Sequence, residues 1–425
     1  MRKLAIFAII LCQLVLLLAC STNTSAPKEP VRSHPNERNE KAISPSSAQS
    51  GSKNSPTDLR GVYVWTLLSV NVGSEEGQKA VSTLRLSGMD GMLLLGSWAK
   101  MEPAKGHYDW SELDPWMEKA TSLHKKVALS IRAGNDTPDW LFQTAPRGAG
   151  AIPLNFTISP HEGKRDQCIP ETIAAPWDPA FINGWDSFLS VLSAHLKSSG
   201  TYDAVTLLRL TGINRTSDEL RLPAETAEST GLTCVTDAIA IWKQADYRPS
   251  LLLRGWDAIT SSFEKNFPGK SFSVSIIPNP PQIPFPPINE NGSTITGDLP
   301  DQNQPLLALA SRKLSGHLVV QFNYLMPDTP ANPAVIDAYK TLGTMVAFQA
   351  NDLFSLTDQG SACGGTTAKP TPCTATSYMQ LLETGIYPLG KSNPLRAQYI
   401  EVFAVNANDF PEDILQAHRE LFASP

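Results

Sequence analysis

No long run of basic residues occurs in this 425-residue chain, where 35 Lys+Arg face 41 Asp+Glu for a net charge of -6. Phosphate binding needs clustered Lys and Arg, so nucleic acid is not an expected partner. No GxGxxG follows the first apolar run, and no GxxxxGK[ST] or GxSxG occurs, which argues against dinucleotide, P-loop and α/β-hydrolase readings. The seven His form no HExxH and no pair at ligand spacing, and the six Cys form no CxxC, so neither a metal nor a cofactor is expected. Tryptophan is absent beyond Trp256, so any aromatic platform belongs to the first half of the fold. What remains is an ordinary globular composition, 41% hydrophobic and 18% charged, with an unusual 34 Pro that suggests long irregular loops.

The N-terminus reads as an address. Arg2 and Lys3 precede an apolar run from Leu4 to Leu18, interrupted by Gln13 and too short for a comfortable membrane span. It ends in Leu17-Leu18-Ala19-Cys20, which resembles the bacterial lipobox, where cleavage precedes the Cys and its thiol carries diacylglycerol. An ordinary export signal or an N-terminal anchor helix is the alternative. Residues 20–57, rich in Ser, Asn, Pro, Lys and Glu, cannot bury enough apolar surface to order themselves and read as a disordered tether. The expected organisation is a signal peptide over 1–19, this tether, and one folded domain over 58–425, held outside the cytoplasm on the bacterial membrane by a lipid anchor. In an oxidising compartment Cys168, Cys234, Cys363 and Cys373 suggest two disulfides, 363 with 373 across one loop and 168 with 234 by elimination.

Eight short apolar runs follow: Gly61–Leu68, Gly91–Trp98, Val127–Ala133, Ala204–Thr211, Phe272–Ile277, His317–Leu325, Thr344–Ala350 and Tyr399–Val405. Each is continuous enough for a buried parallel strand. Amphipathic helices are expected between them, over Asp109–His124 with Ser111 and Asp114 spaced like a capping box, after Asp178-Pro179, and over Gln304–Leu314, Ala334–Leu342 and Pro411–Leu421. Alternating strands and helices of this number predict an α/β fold, a single (β/α)8 TIM barrel with long inserted βα loops.

The segment Gly96-Ser-Trp98-Ala-Lys-Met-Glu102-Pro-Ala-Lys-Gly106-His-Tyr108-Asp-Trp110, followed by Leu113-Asp114, resembles the W-x-x-x-E-P-x-x-G-x-Y-D-[FW]…LD signature of glycoside hydrolase family 42 β-galactosidases and their relatives. Lys126–Arg132 and Thr137-Pro-Asp-Trp140-Leu141 resemble the third strand of that family and its continuation. The resemblance covers about 61–141 and implies carbohydrate as substrate. It also implies a general acid after strand four and a nucleophile ending strand seven, the two carboxyls that glycoside hydrolysis needs.

Strand four runs into Asn214-Arg-Thr-Ser-Asp218-Glu219. The family places Asn and Glu side by side; here they are five apart, so Glu219 is the acid candidate if a longer turn returns it to the site. Strand seven carries Gln349, which can be neither nucleophile nor base. The second carboxyl is then Glu401, inside the apolar eighth run, or Asp352 just past the seventh. The alternative for Glu401 is an ion pair with Arg132 or Arg209 that closes the barrel. Glu102 reads as a loop organiser. Candidate substrate contacts are Trp65, Trp98, Arg132, Trp140, Asn214, Asn323, Tyr324 and Gln349, with Asn135 and Asp136 also at a strand end; each has a bland alternative as core or loop cap. Three functions compete: a surface-anchored glycoside hydrolase, a glycan-binding lipoprotein that has lost its strand-seven carboxylate, and an importer's solute-binding lipoprotein, which would need two lobes and a hinge.

Overall fold

Parallel strands buried on both faces need continuous apolar sequence, and all eight runs form such strands. In the computed structural model they are β1 (Gly61–Leu67), β2 (Met89–Ser97), β3 (Lys126–Arg132), β4 (Val205–Arg209), β5 (Ser271–Ile276), β6 (Leu318–Leu325), β7 (Met345–Ala350) and β8 (Tyr399–Phe403). Residues 58–158, 168–277, 283–325, 333–350, 365–366, 369–370 and 375–423 are described. The signal, Cys20, the tether, Asp352, Cys363 and Cys373 lie outside them. Every strand pairs in parallel with its neighbour, β8 returns to β1, and β4 bonds both β3 and β5, so the sheet closes.

One principal helix follows each strand: α1 (Glu75–Leu84), α2 (Asp114–Ser122), α3 (Pro179–Ser198), α4 (Pro249–Asn266), α5 (Gln304–Lys313), α6 (Pro333–Leu342), α7 (Ala375–Ile386) and α8 (Pro411–Phe422). The Asp178 carboxylate caps α3 by accepting from the Ala180 amide at 2.8 Å, as the Asp-Pro start implies. The expected capping box at Ser111 does not form. Asp109 instead accepts the Ser111 amide in a local turn, α2 starts only at Asp114, and the Asp114 carboxylate meets His195 at 2.6 Å. Short polar side chains that bond their own backbone compete with helix initiation in this way.

Outward strand residues such as Val64, Leu94, Leu129, Val320, Phe348 and Ile400 pack against the helices in the main core. The barrel interior has its own apolar floor, formed by Leu59, Tyr63, Leu93, Ala128, Leu207, Val319, Ala347 and Tyr399.

The βα connections carry the insertions. Between β3 and α3 stands a hairpin, Pro153–Ile158 paired with Ile169–Ala174. Between β4 and α4 lie a two-residue strand, Glu219–Leu220, and the short helices Ala227–Thr230 and Ala238–Gln244. A disulfide joins these two excursions through Cys168 and Cys234, residues 66 apart in sequence with Cα atoms 6.0 Å apart. Thr236 adds two bonds to the Thr157 backbone, at 2.9 and 3.0 Å. A loop of this length implies about 4 kcal/mol from the constrained unfolded chain. Cys168→Ser with Cys234→Ser is therefore expected to lower Tm by about 5 °C in a calorimetric scan, and an unchanged Tm would rule out a stabilising staple.

Candidate active site

Side chains alternate along a strand, so two residues beyond each floor position another ring of inward residues must follow. That step reaches Ser130, Arg209, Gln321, Gln349 and Glu401, each buried. Arg209 is the centre of the ring. Its Nη2 donates to Glu401 Oε1 at 2.5 Å and to Gln321 Oε1 at 2.8 Å, and its Nη1 to Asp218 Oδ2. Glu401 Oε2 accepts from Gln321 at 2.8 Å and from Gln349 at 2.9 Å, while the Tyr399 hydroxyl donates to Gln321 Oε1 at 2.6 Å. Burial alone would lower the Arg209 pKa, but the Asp218 and Glu401 carboxylates outweigh it and hold Arg209 above the ordinary arginine value.

The turn after β4 does return Glu219. Gly212, at φ 109°, reverses the chain, and residues 214–218 then descend along the end of β3. Ser130 Oγ donates to Asp218 Oδ2 at 3.3 Å and Arg132 Nη1 to the Thr216 carbonyl at 2.6 Å. A methyl group on Gly134 would lie 2.2 Å from the Asn214 carbonyl oxygen, so only glycine permits this approach. The pairs 130/218, 132/216 and 134/214 step in opposite directions, as in an antiparallel ladder. The chain then turns up again, and Glu219 pairs with Ser275 where Arg209 had paired with Ser273. Glu219 thus takes the next inward place of β4. It is 5% exposed and its Oε1 accepts from Asn323 Nδ2 at 2.7 Å.

The remaining candidates separate into three groups. Trp98 and Trp140 are core residues rather than sugar platforms. Trp98 is fully buried, with the Trp140, Phe181, Trp185 and Phe188 rings 5.1–6.2 Å away. Glu102 organises this loop: Oε2 accepts from Trp98 Nε1 and Oε1 from the Gly106 amide, both at 2.9 Å, and its carbonyl accepts from Trp140 Nε1 at 3.0 Å. Asn214 is likewise a loop brace, accepting from the Gly212 amide and donating to the Arg215 and Ser217 carbonyls. Asn135 bonds the Thr172 amide in the hairpin, and Arg132 pairs with Asp136 at 2.8 Å.

At the mouth stand Trp65, half-buried against Phe403 at 5.3 Å, together with Asn323 and Gln349. Tyr324 belongs to β6, but its side chain lies outside the described residues. Of the carboxyl candidates, Glu219 and Glu401 are joined by an amide chain, Asn323 to Gln321 to Glu401. Among the described residues no three His, Cys, Asp or Glu side chains form a metal-ligating group.

The sequence pattern singles out neither Gln321 nor Ser130, offers Arg209 only as an ion-pair partner for Glu401, and gives Asp218 no role in the site. The signal was present: each of Ser130, Arg209, Gln321, Gln349 and Glu401 interrupts an otherwise apolar strand, two residues past an inward apolar one.

Residues 75–151 match the family model described as beta-galactosidase, glycoside hydrolase family 42. Among solved structures, the catalytic domain of a beta-amylase from Paenibacillus polymyxa superposes with a TM-score of 0.50 at 12% identity, over 84% of this chain and 98% of that one. A beta-galactosidase from the psychrophilic Marinomonas ef1 gives 0.49 at 10% identity, over 84% of this chain and 59% of that one. No curated protein matches. The structural likeness is one of fold, the TIM barrel architecture derived above, and the family match supports an enzyme of carbohydrate hydrolysis.

Removing one partner of a buried ion pair strands the other charge, at roughly 3–5 kcal/mol. Glu401→Ala is expected to lower unfolding stability in urea by that amount. Combined with Arg209→Met it should cost clearly less than the two single changes added together; additive losses would deny the coupling.

Proposed function

We propose that the chain is a glycoside hydrolase tethered outside the cytoplasm by a lipid on Cys20, cleaving O-glycosidic bonds of oligo- or polysaccharides with Glu219 as proton donor. The observation that carries this reading is the return of Glu219 to an inward β4 position at the C-terminal end of the barrel, where such folds build their sites. Asn323 and Gln349 near it offer amide oxygens suited to neutral hydroxyl groups. In the reaction Glu219 gives its proton to the departing sugar oxygen while a water oxygen becomes bonded to the anomeric carbon, assisted by a second carboxyl.

The glycan-binding alternative has one observation in its favour: Gln349 stands on β7 and is committed to Glu401. Its expected tryptophan platforms count against it, since Trp98 and Trp140 are core.

The full chain should release nitrophenol from at least one member of a nitrophenyl glycoside panel. Glu219→Gln should lower kcat by roughly 10²–10⁴-fold with Tm preserved. Glycan binding without turnover on any glycoside or oligosaccharide would establish the binder instead. For the anchor, Cys20→Ser should abolish labelling by a fatty-acid probe in a bacterial host, and labelling that persists would refute lipidation at this residue.

A further inference from the structure

We propose that Asp218 is the second reacting carboxyl, and that Glu401 is its buried counterpart across Arg209 rather than a reacting group; this rests on the hydrolase reading above. Three observations lead there.

First, Glu401 is fully engaged. It is 0% exposed, Oε1 is held by Arg209, and Oε2 receives both Gln321 and Gln349. It also lies one inward step below Glu219, in the Arg209 ring. Second, the described contacts of Asp218, from Arg209 Nη1 and Ser130 Oγ, both use Oδ2. A carboxylate gripped by one oxygen is oriented, and the other oxygen is left to act. Third, Asp218 and Glu219 are consecutive residues aimed at different walls: Asp218 reaches Ser130 on β3, and Glu219 reaches Asn323 on β6. The bend at Asp218, where the descent ends and the short strand begins at Glu219, sends the two carboxyls to different walls.

Arg209 then has a defined task. As a fixed cation it holds Asp218 in place, and Glu401 balances the positive charge that burial would otherwise make costly. In the reaction Asp218 takes a proton from the attacking water as its oxygen bonds the anomeric carbon. The bond to the departing sugar oxygen breaks, that oxygen takes up the Glu219 proton, and both carboxyls are reset by proton exchange with solvent.

The test uses the full chain on an aryl glycoside that the parent cleaves. Asp218→Ala and Asp218→Asn should each lower kcat by roughly 10²–10⁴-fold while KM moves only a few-fold. Sodium azide, a small anion that needs no base, should restore turnover in Asp218→Ala and yield a glycosyl azide of inverted anomeric configuration. Glu401→Gln should gain nothing from azide. Because the alanine variant frees one side of Arg209 and could fail to fold, Asp218→Asn with a native thermal melt carries the kinetic test by itself. Retention of more than about a tenth of the parent kcat in Asp218→Asn, or azide failing to restore a folded Asp218→Ala, overturns the assignment while leaving Glu219 and the hydrolase reading intact. If the parent chain cleaves no glycoside at all, the hydrolase reading falls and the role of Asp218 falls with it.

Discussion

A guanidinium enclosed by the barrel, Arg209, is the constraint to which the upper half of the structure conforms. A buried cation is tolerable only when its donors are met, and its partners come from four directions: Glu401 on β8, Gln321 on β6, Ser273 on β5, and Asp218 on the segment that doubles back after β4. That requirement explains why Gln349 and Tyr399 point their polar atoms inward and why the interior changes from apolar to polar within one step along β3, β4, β6, β7 and β8. It also explains why the chain after β4 cannot leave the barrel directly. The placement of Asp218 and of the buried amides shares one electrostatic origin.

Likeness to known proteins and chemistry occupy different halves of this barrel. The family match ends at residue 151, and its most recognisable part, from Trp98 through Glu102 and Gly106 to Trp140, is a packing unit. Its indoles donate to Glu102, and its rings fill the space between β2 and α3. The carboxyls at the mouth come from 218 onward. Preserving the first half therefore preserves a scaffold, while the carboxyls at the mouth come from beyond the matched segment.

The fold was legible because each strand had to be apolar on both faces, which makes all eight runs visible without regard to side-chain direction. The course of the chain within a loop was less so. The five-residue gap from Asn214 to Glu219 predicted that a turn must bring Glu219 back to the barrel, and the turn does, but the descent along β3 depends on the glycine at 134 and on carbonyl contacts that no side-chain pattern records. The ion pair of Glu401 with Arg209 was readable as one option, since a charge inside an apolar strand demands a partner. Trp98 and Trp140 illustrate the opposite difficulty: a tryptophan at a strand end has the same appearance in sequence whether it faces a sugar or another ring, and only packing decides.

The detour from Gly212 to Asp218 leaves β4 and rejoins the same strand position, so it adds length without changing the register of any neighbour. Topologically it is a side branch on an intact barrel. Its length is consequently free of the register that binds the strands, provided that the chain comes back with the same inward phase and still brings a carboxylate to Arg209. Divergence can therefore remodel the mouth one excursion at a time, leaving eight strands and their helices to inherit unchanged.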